Sequence, residues 1–469
     1  MSQNNNSRSS RRRFLQGAAC TGLAAGLTSF DHFGTLANLA RASEVNPGGK
    51  PDRYYVFAYF SGGWDVLLSL DPRNPVQFHN GNMLLTKIQP GYEYLNDPTN
   101  DGSPVTTSSG LTFGPYMGEL LKHVDKMTVL RGMSMDTLTH EVGRRRFLTG
   151  KSPTGLLARG SSAATWLASE LGVEQPIPNL SVRVESYNVD QPNYATGLKV
   201  ASVPDLVRAL KAADPTMDTK LDMLVDQMLV QQGQCDVAQH SPTWLKAEQS
   251  RNKAREMVTN GFDSLFDFQA NTLAMETLRD HYKIAATGTA ALQTPQAQAA
   301  MAATALKAGI SRCVSFQAAS GLDTHYDEWE RDQGPTQADG FSAVSRLVDD
   351  LSSTPYYDTG ESWMDHTVII GFSEFSRTPL LNSRGGRDHH LTNSCFVMGA
   401  GIRGNHVVGA SSDIGMTPTA VDLATGLSDP GGEVVRPEHL IQALFHDIDV
   451  YGDPADLRVD PLTAILKTS

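Results

Sequence analysis

The chain has 469 residues, of which 19% are charged and 40% are hydrophobic, and its formal net charge at pH 7 is −12. This acidic balance excludes a broad basic face for nucleic acid or for an anionic membrane surface. No uninterrupted apolar run approaches the roughly 20 residues that a membrane span needs, so we expect no transmembrane segment.

The N-terminus has the features of an export signal. The stretch "SRRRFLQ" contains the adjacent Arg11 and Arg12, a mildly apolar stretch follows, and "ARA" offers a cleavage site between small residues. We therefore predict a twin-arginine signal peptide over residues 1–42, recognised by the twin-arginine translocation machinery. The mature protein, residues 43–469, would be periplasmic or extracellular. Loss of the signal removes five arginines and one aspartate, so the formal charge moves from −12 to −16.

Six apolar runs predict strands of an α/β fold. They alternate with helical patterns, and strands that are apolar throughout are typical of a mostly parallel sheet that helices cover on both faces. Residues about 203–308 are polar, rich in Gln, Ala and Met, and contain no convincing strand, so we predict a helical insertion that packs outside the sheet. The six predicted strands cover residues 53–60, 126–133, 179–184, 312–319, 366–372 and 393–400.

Acidic and histidine side chains follow four of the six predicted strands. Open α/β sheets bind ligands beyond the carboxyl ends of their strands, and such a set of side chains suits one or two divalent metal ions. Each residue alone also has a structural interpretation: Asp65 as a turn residue, Asp323 as a helix cap, His140 as an ordinary hydrogen-bonded histidine. Their shared placement just beyond the ends of strands favours the interpretation that they are metal ligands. The side chains concerned are Asp65 in "SGGWD", Thr139 and His140 in "SMDTLTH", Asp323 and His325 in "SGLDTHYDE", Glu374 and Arg377 in "SEFSR", and Asp388, His389 and His390 in "GGRDHH".

Five segments carry a family resemblance. Behind the export signal, "GGWD", "DTHYDE", "SEFSRTP", "GGRDHH" and "GAGIRGNHVVGAS" occur in this order. Together they resemble an exported bacterial family named domain of unknown function 1501, which is similar to the alkaline phosphatase and sulfatase superfamily. The resemblance covers roughly residues 52–450 and implies an alkaline-phosphatase-like fold over residues 43–469.

The resemblance also implies roles by order. In alkaline-phosphatase-like enzymes an Asp after the first strand binds metal, and a Ser or Thr nucleophile follows the second strand. Asp65 therefore matches the first metal ligand, and Thr139 lies nearest to the nucleophile, with His140 beside it. Ser134 and Thr137 compete with Thr139 for this role.

The other implied metal ligands come from the later motifs. Asp323 and His325 match one pair, Glu374 the acidic ligand of the second site, and His389 the late histidine that follows Asp388. Asp388 either binds metal directly or orients His389. The chain has "SEF" where the superfamily commonly has Asp-His, and it has no Cys-x-Pro-x-Arg segment, so formylglycine-dependent sulfatase chemistry is not expected. The divalent ion could be zinc, magnesium, manganese or calcium.

Two functions from different classes fit these features. One is an exported metal-dependent hydrolase that acts on a small anionic substrate, a phosphate or related ester, with Thr139 or a water as nucleophile and Arg377 as clamp for the anion. The other is a non-catalytic metal-binding or assembly protein that retains the fold.

Changing Arg11 and Arg12 together to Lys should leave unprocessed protein in the cytoplasm, because the paired arginines mark the signal for this export route. Cell fractionation and the mass of the recovered protein measure this. Normal amounts of mature protein in the periplasm of the variant would contradict the predicted signal.

Overall fold

The computed structural model describes residues 50–467 apart from gaps at 101, 156, 212–217, 242, 246, 249–250, 253–254 and 256–259. The signal peptide predicted over residues 1–42 lies outside the described residues. The described strands are β1 (Tyr54–Phe60), β2 (Val105–Thr106), β3 (Thr112–Phe113), β4 (Met127–Ser134), β5 (Asn179–Val182), β6 (Leu198–Val200), β7 (Cys313–Ala319), β8 (Thr367–Phe372), β9 (Ser376–Arg377), β10 (His389–His390), β11 (Thr392–Gly399), β12 (His406–Val408), β13 (Ala420–Val421) and β14 (Glu433–Val434).

α-Helices separate many of these strands. In the part of the chain that the structure describes they are α1 (Met83–Thr86), α2 (His140–Thr149), α3 (Ala163–Leu171), α4 (Val203–Leu210), α5 (Thr219–Gly233), α6 (Asp236–Gln239), α7 (Leu273–Tyr282), α8 (Pro295–Lys307), α9 (Gly334–Ser353) and α10 (Pro437–Asp447). None of the described helices combines the length and the apolar composition of a membrane span.

An eight-stranded sheet lies at the centre of the fold, in the order β12-β4-β11-β8-β1-β7-β5-β6. Only β11 runs against its neighbours, β4 and β8, whereas the remaining pairs are parallel. The six predicted strands all belong to this sheet, so the mostly parallel α/β class is confirmed. The sequence missed the edge strands β6 and β12, because each has only three residues, which are too few to form a recognisable apolar run.

The direction of β11 follows from its connection to β8. A parallel pair needs a crossover that returns the chain to the opposite edge of the sheet, usually through a helix. Residues 373–391 contain only the short hairpin of β9 and β10 and no helix, so the chain stays at the carboxyl end of β8. From there β11 can only return in the antiparallel direction.

Helices cover both faces of the sheet. Consecutive side chains of a strand point to opposite faces. Tyr59 stacks on Phe372, which in turn stacks on Phe147 of α2 with ring centroids 4.2 Å apart. Phe60 packs on Phe341 of α9 at 4.7 Å. Because Tyr59 and Phe60 are adjacent in β1, α2 and α9 lie on opposite faces.

The predicted insertion, residues 203–308, is helical where it is described. The helices α4, α5, α6, α7 and α8 lie within it, and none of its described residues joins the sheet. Its last helix does not lie outside the fold as expected. Most residues of α8 are buried against β7 and α9, so α8 belongs to the layer that covers the sheet. Its alanine side chains are too small to form a marked apolar pattern in the sequence, but they allow close packing against strands.

One glycine in β8 is required by the packing of the antiparallel strand. Gly371 pairs with Phe396 of β11, and a Cβ at Gly371 would lie 1.9 Å from Cε1 of the Phe396 ring. The ring therefore occupies the space that a side chain would need.

Gly371→Ala should lower the free energy of unfolding by about 1–3 kcal/mol, because the added methyl group overpacks a buried strand pair. Thermal or denaturant unfolding measures the change. Gly431→Ala is the matched control, since a Cβ there would meet only Asp429 Oδ1 at 3.5 Å. Equal stability of the two variants would contradict this packing constraint.

Candidate metal centre

The side chains of the candidate site come from segments that follow three strands of the sheet, at the carboxyl ends of those strands. Asp323 and His325 follow β7, and Glu374 follows β8. His389 lies on β10, in the hairpin beyond β8, and His140 is the first residue of α2, which follows β4. Because β4, β7 and β8 run in the same direction, their carboxyl ends bring these residues together.

One carboxylate oxygen lies at the centre of this group. The Nε2 atoms of His325, His389 and His140 lie 3.0, 3.2 and 3.4 Å from Asp323 Oδ1. His140, Asp323 and His389 each offer a ligand atom within 4.8 Å of the other two, and His325 Nε2 lies 3.0 Å from His389 Nε2. We call these four residues the imidazole–carboxylate cluster. The side chain of Asp323 is 49% exposed, so the cluster is open to solvent.

The Nδ1 atom of each histidine in the cluster faces a group that can only accept a hydrogen bond. A carboxylate or a carbonyl has no proton to donate, so each Nδ1 carries the proton and each neutral ring presents a lone pair on Nε2. The acceptors are Glu374 Oε1 for His140 at 2.7 Å, Asp388 Oδ1 for His325 at 2.8 Å, and the backbone oxygen of Leu138 for His389 at 2.6 Å.

This hydrogen bonding leaves acceptor atoms facing one another in the cluster. Three lone pairs and the Asp323 carboxylate meet there, and Arg377 donates to two of these groups, with Nη2 2.6 Å from Asp323 Oδ1 and Nη1 3.4 Å from His325 Nε2. A positive charge between these groups, either a proton on an imidazole Nε2 or a metal ion, stabilises the arrangement. In a tetrahedral site with metal–nitrogen bonds of about 2.0–2.1 Å, the ligand atoms are about 3.3 Å apart. The separations of 3.0–3.4 Å from Asp323 Oδ1 therefore fit a divalent ion.

The charges of the cluster suit a cation. Burial would raise the pKa of Asp323, but the hydrogen bond and charge of Arg377 outweigh it and lower the pKa to about 2. The hydrogen bond to Glu374 raises the pKa of His140, and burial lowers the pKa of His389. Asp323 is thus ionised at neutral pH, and a metal ion would compete with a proton for Nε2 of His140.

Glu374 and Asp388, which the sequence predicted as ligands, hold histidines in the structure. Glu374 is buried and accepts hydrogen bonds from the Gly62 amide and the Ser373 hydroxyl, both at 3.0 Å, besides its contact with His140. Asp388 contacts His325, whereas the sequence led us to expect an effect on His389. Carboxylates in this position fix the ring and raise its basicity as a ligand.

Asp65, the first predicted ligand, lies apart from the cluster in a buried ion pair. Its Oδ2 accepts a hydrogen bond from the indole of Trp329 at 2.8 Å and lies 2.9 Å from Arg387 Nε. Its Oδ1 accepts from the Leu67 amide at 3.0 Å. Both oxygens are occupied by internal donors, which leaves no place for a metal ion. Nothing in the sequence pattern marks Arg387 as the partner of Asp65.

Arg377, the predicted anion clamp, is fully buried and its donors face inward. Nε donates to the Gly63 carbonyl at 2.9 Å, Nη1 to the Arg387 carbonyl at 3.2 Å, and Nη2 to Asp323 and to the Gly62 carbonyl. The guanidinium therefore organises the loops of the site and is not available to a substrate.

The candidate nucleophiles are the hydroxyl groups of Thr139, Thr137 and Ser134. Thr139 is the exposed residue before α2, and its hydroxyl lies 3.2 Å from that of Thr137. The Ser134 hydroxyl donates to Asp136 at 2.6 Å. No hydrogen bond described for these hydroxyls reaches the cluster, although Thr139 directly precedes His140. The sequence named His140 as a neighbour of the nucleophile, and the geometry makes it a candidate ligand.

Replacing His389 or His140 by Ala should abolish stoichiometric metal binding, because each removes a directed Nε2 atom. Glu374→Gln should weaken metal affinity about 10–100-fold, since an amide holds His140 less firmly than a carboxylate. Titration of the metal-depleted protein with Zn²⁺ and elemental analysis measure both effects. His240→Ala, at an exposed histidine, is the control. Unchanged binding in the His389 and His140 variants would contradict the site.

Three solved structures are similar to the chain at low identity. Ps i-CgsB in complex with k-i-k-neocarrahexaose is 7% identical, with a TM-score of 0.37 over 88% of this chain and 75% of that one. A protein in the alkaline phosphatase superfamily from Vibrio parahaemolyticus is 8% identical, with a TM-score of 0.34 over 92% and 78%. The phosphonate monoester hydrolase SpPMH from Silicibacter pomeroyi is 10% identical, with a TM-score of 0.33 over 89% and 78%. At these TM-scores the likenesses support no argument about the activity of this chain.

The family comparison agrees with the motifs in the sequence. No curated protein matches the chain in sequence. The model of one family matches residues 53–425, a range that includes "GGWD", "DTHYDE", "SEFSRTP" and "GGRDHH". The match extends over most of the chain, and the protein therefore belongs to the family described as Protein of unknown function (DUF1501).

Proposed function

We propose that this protein is an exported, metal-dependent hydrolase that acts on phosphate or related anionic esters. The observation that carries the proposal is the convergence of three Nε2 atoms on Asp323 Oδ1 at 3.0–3.4 Å. Each ring proton is already donated on the Nδ1 side. When the rings are neutral, these acceptor atoms directed at one point form a set of ligand atoms for a cation.

The donor set favours zinc among the metals that the sequence left open. Imidazole nitrogen suits zinc, whereas magnesium and calcium prefer oxygen ligands. His325 Nε2 has a contact with Arg377 Nη1 at 3.4 Å and would stay outside the ligand set. With His140, Asp323 and His389 as ligands, three protein groups would hold the ion and leave a position for water or substrate, as in catalytic zinc sites. A bound zinc ion would supply Lewis-acid polarisation of an ester oxygen.

The residues around the cluster would have separate tasks. Glu374 and Asp388 hold the Nδ1 protons of His140 and His325, which keeps their lone pairs directed at the cluster. Asp323 stays ionised because Arg377 lowers its pKa against the effect of burial. The hydroxyl that attacks the ester would come from Thr139, Thr137, Ser134 or water. A single substitution would remove the nucleophile if it is one of the three side chains, but not if it is water.

A non-catalytic metal-binding or assembly protein is the second candidate. The observation that favours it is the internal use of the predicted anion clamp, Arg377, and of a predicted metal ligand, Asp65. Arg377 donates only to protein acceptors, and Asp65 is neutralised by Arg387. A hydrolase of this family would therefore need other residues to recognise its anionic substrate.

The zinc-loaded protein should hydrolyse aryl phosphate or phosphonate esters, and removal of the metal by a chelator should abolish turnover. His389→Ala should have no activity, and replacing the nucleophile should lower kcat while metal content stays normal. Thr139→Val, Thr137→Val and Ser134→Ala, assayed side by side, identify that residue or point to water. His240→Ala is again the control. Full metal occupancy without turnover on phosphate, phosphonate, sulfate and carboxylate esters would favour the non-catalytic alternative.

A further inference from the structure

An exposed arginine lies in the turn between β9 and β10, beside the imidazole–carboxylate cluster. The side chain of Arg384 is 46% exposed, and its Nη2 donates to Asp388 Oδ1 at 3.2 Å. The same oxygen of Asp388 lies 2.8 Å from His325 Nδ1. The sum of these two contacts, 6.0 Å, is the upper limit of the distance from Arg384 Nη2 to His325 Nδ1. A positive charge therefore lies directly beside a member of the cluster.

Asn382 builds this turn and connects it to the cluster. Its Oδ1 accepts hydrogen bonds from the amides of Arg384 at 2.9 Å and of Gly386 at 3.2 Å. Its Nδ2 donates to the backbone oxygen of His325 at 3.0 Å. Gly385 has a φ of 84°, and a Cβ at Gly386 would lie 2.3 Å from the backbone carbon of His325. The turn thus needs its two glycines, and it holds the backbone of Arg384 at a fixed place beside the segment that follows β7.

The guanidinium of Arg384 is also fixed in direction. Its Cζ lies 4.5 Å from the centroid of the Tyr326 ring, which is 53% exposed, and Tyr326 pairs with Gly385 in an antiparallel bridge. A guanidinium on an aromatic face is restricted in orientation while its edges stay able to donate. It carries five N–H donors, and within the described part of the chain only Nη2 of this side chain forms a hydrogen bond. The other donors can bind the oxygens of a ligand.

The contact with Asp388 leaves Arg384 available to such a ligand. The two side chains are 46% and 48% exposed, and ion pairs at this exposure contribute little to stability. Asp388 also accepts a hydrogen bond from Asn382 at 3.2 Å and contacts His325, so its position does not depend on Arg384 alone. Arg377, in contrast, is fully buried and used by the loops of the site.

The place of Arg384 fits a second anionic group and not the group that would bind at the ion. The imidazole of His325 lies between the two positions, because its Nδ1 faces Asp388 and its Nε2 lies 3.0 Å from Asp323 Oδ1. The guanidinium and the carboxylate of Asp323 are thus on opposite sides of one ring. A substrate that contacts both positions needs two acidic groups, one for each.

We propose that Arg384 is a specificity-determining residue that binds a second acidic group of the substrate while the ester group lies at the cluster. The inference rests on the proposed function and narrows its substrate class to esters that carry a further anionic group. That group is a carboxylate, phosphate or sulfate, since all three offer the paired oxygens that match the fork of a guanidinium.

Calorimetric titration of the zinc-loaded protein with phenylphosphonate and with 4-carboxyphenylphosphonate tests this role. Neither compound is an ester, so both bind without turnover, and they differ by one carboxylate. The wild-type protein should bind the carboxyphenyl compound about 5-fold more tightly, at the upper end of the effect of an exposed charge pair. Arg384→Gln should remove this preference and leave the affinity for phenylphosphonate and the zinc content unchanged. Arg384→Lys should retain part of it, because the charge remains and the fork is lost.

Arg458→Gln is the matched control, because Arg458 is an exposed arginine that also pairs with a nearby aspartate, Asp456, at 2.9 Å. It should keep the wild-type preference. Equal affinity of the wild-type protein for the two compounds, or binding of neither, would overturn the second subsite. A preference that survives in Arg384→Gln would overturn the role of Arg384. Equal weakening of both compounds by Arg384→Gln would mean that the arginine acts through Asp388 as a positioning residue, which contradicts direct recognition.

The proposed function is judged by separate measurements on the same protein. Zinc uptake reports on the metal centre, and turnover of phenyl phosphate reports on the hydrolase. A zinc-loaded protein that prefers the carboxyphenyl compound but hydrolyses no ester would support Arg384 as a binding residue and overturn the hydrolase. A protein that takes up no zinc would overturn the proposed function and this inference with it.

Discussion

The position of the cluster depends on one buried guanidinium, that of Arg377. It donates to the carbonyls of Gly62 and Gly63 after β1 and to the carboxylate of Asp323 after β7, so a single charged group joins the loops of neighbouring strands. Both glycines have positive φ values, 115° and 85°, and a Cβ at Gly62 would lie 2.7 Å from the Asp323 amide. A buried cation without its partner is strongly destabilising, so the pair fixes Asp323, and Asp323 in turn gathers the imidazoles.

The charged residues of the segment "GGRDHH" point in different directions and make different contacts. Arg387 points into the protein, where it neutralises Asp65 and donates to the backbone oxygens of Gln89 and Pro90 at 2.7 Å. The next two residues, Asp388 and His389, point to the open side and join the cluster. Arg387 thus pairs with the carboxylate of Asp65, which the family resemblance assigned to a metal ion. The donor atoms that remain around Asp323 support a single cation among the described residues.

The sequence predicted where the site lies better than what each residue does. Residues that directly follow parallel strands must meet at one edge of a sheet, and Asp323, His325 and His389 do meet there. Their roles depend on the direction of hydrogen bonds that no spacing encodes. Glu374 faces Nδ1 of His140, which belongs to a different strand connection, so a residue predicted as a ligand instead holds the ring of a candidate ligand. The direction of β11 and the partners of buried charges also depend on contacts between residues that are far apart in the sequence.

The local and overall charges of the protein act in opposite directions on an anionic substrate. The formal charge of −12 repels anions at long range, although ions in solution screen this field beyond about 10 Å. Inside the site, the Asp323 carboxylate and three imidazoles carry one negative charge when the rings are neutral, and a bound divalent ion would reverse the sign of that charge. Recognition of an anion would therefore depend on the ion held at this position and not on a general attraction to the protein surface.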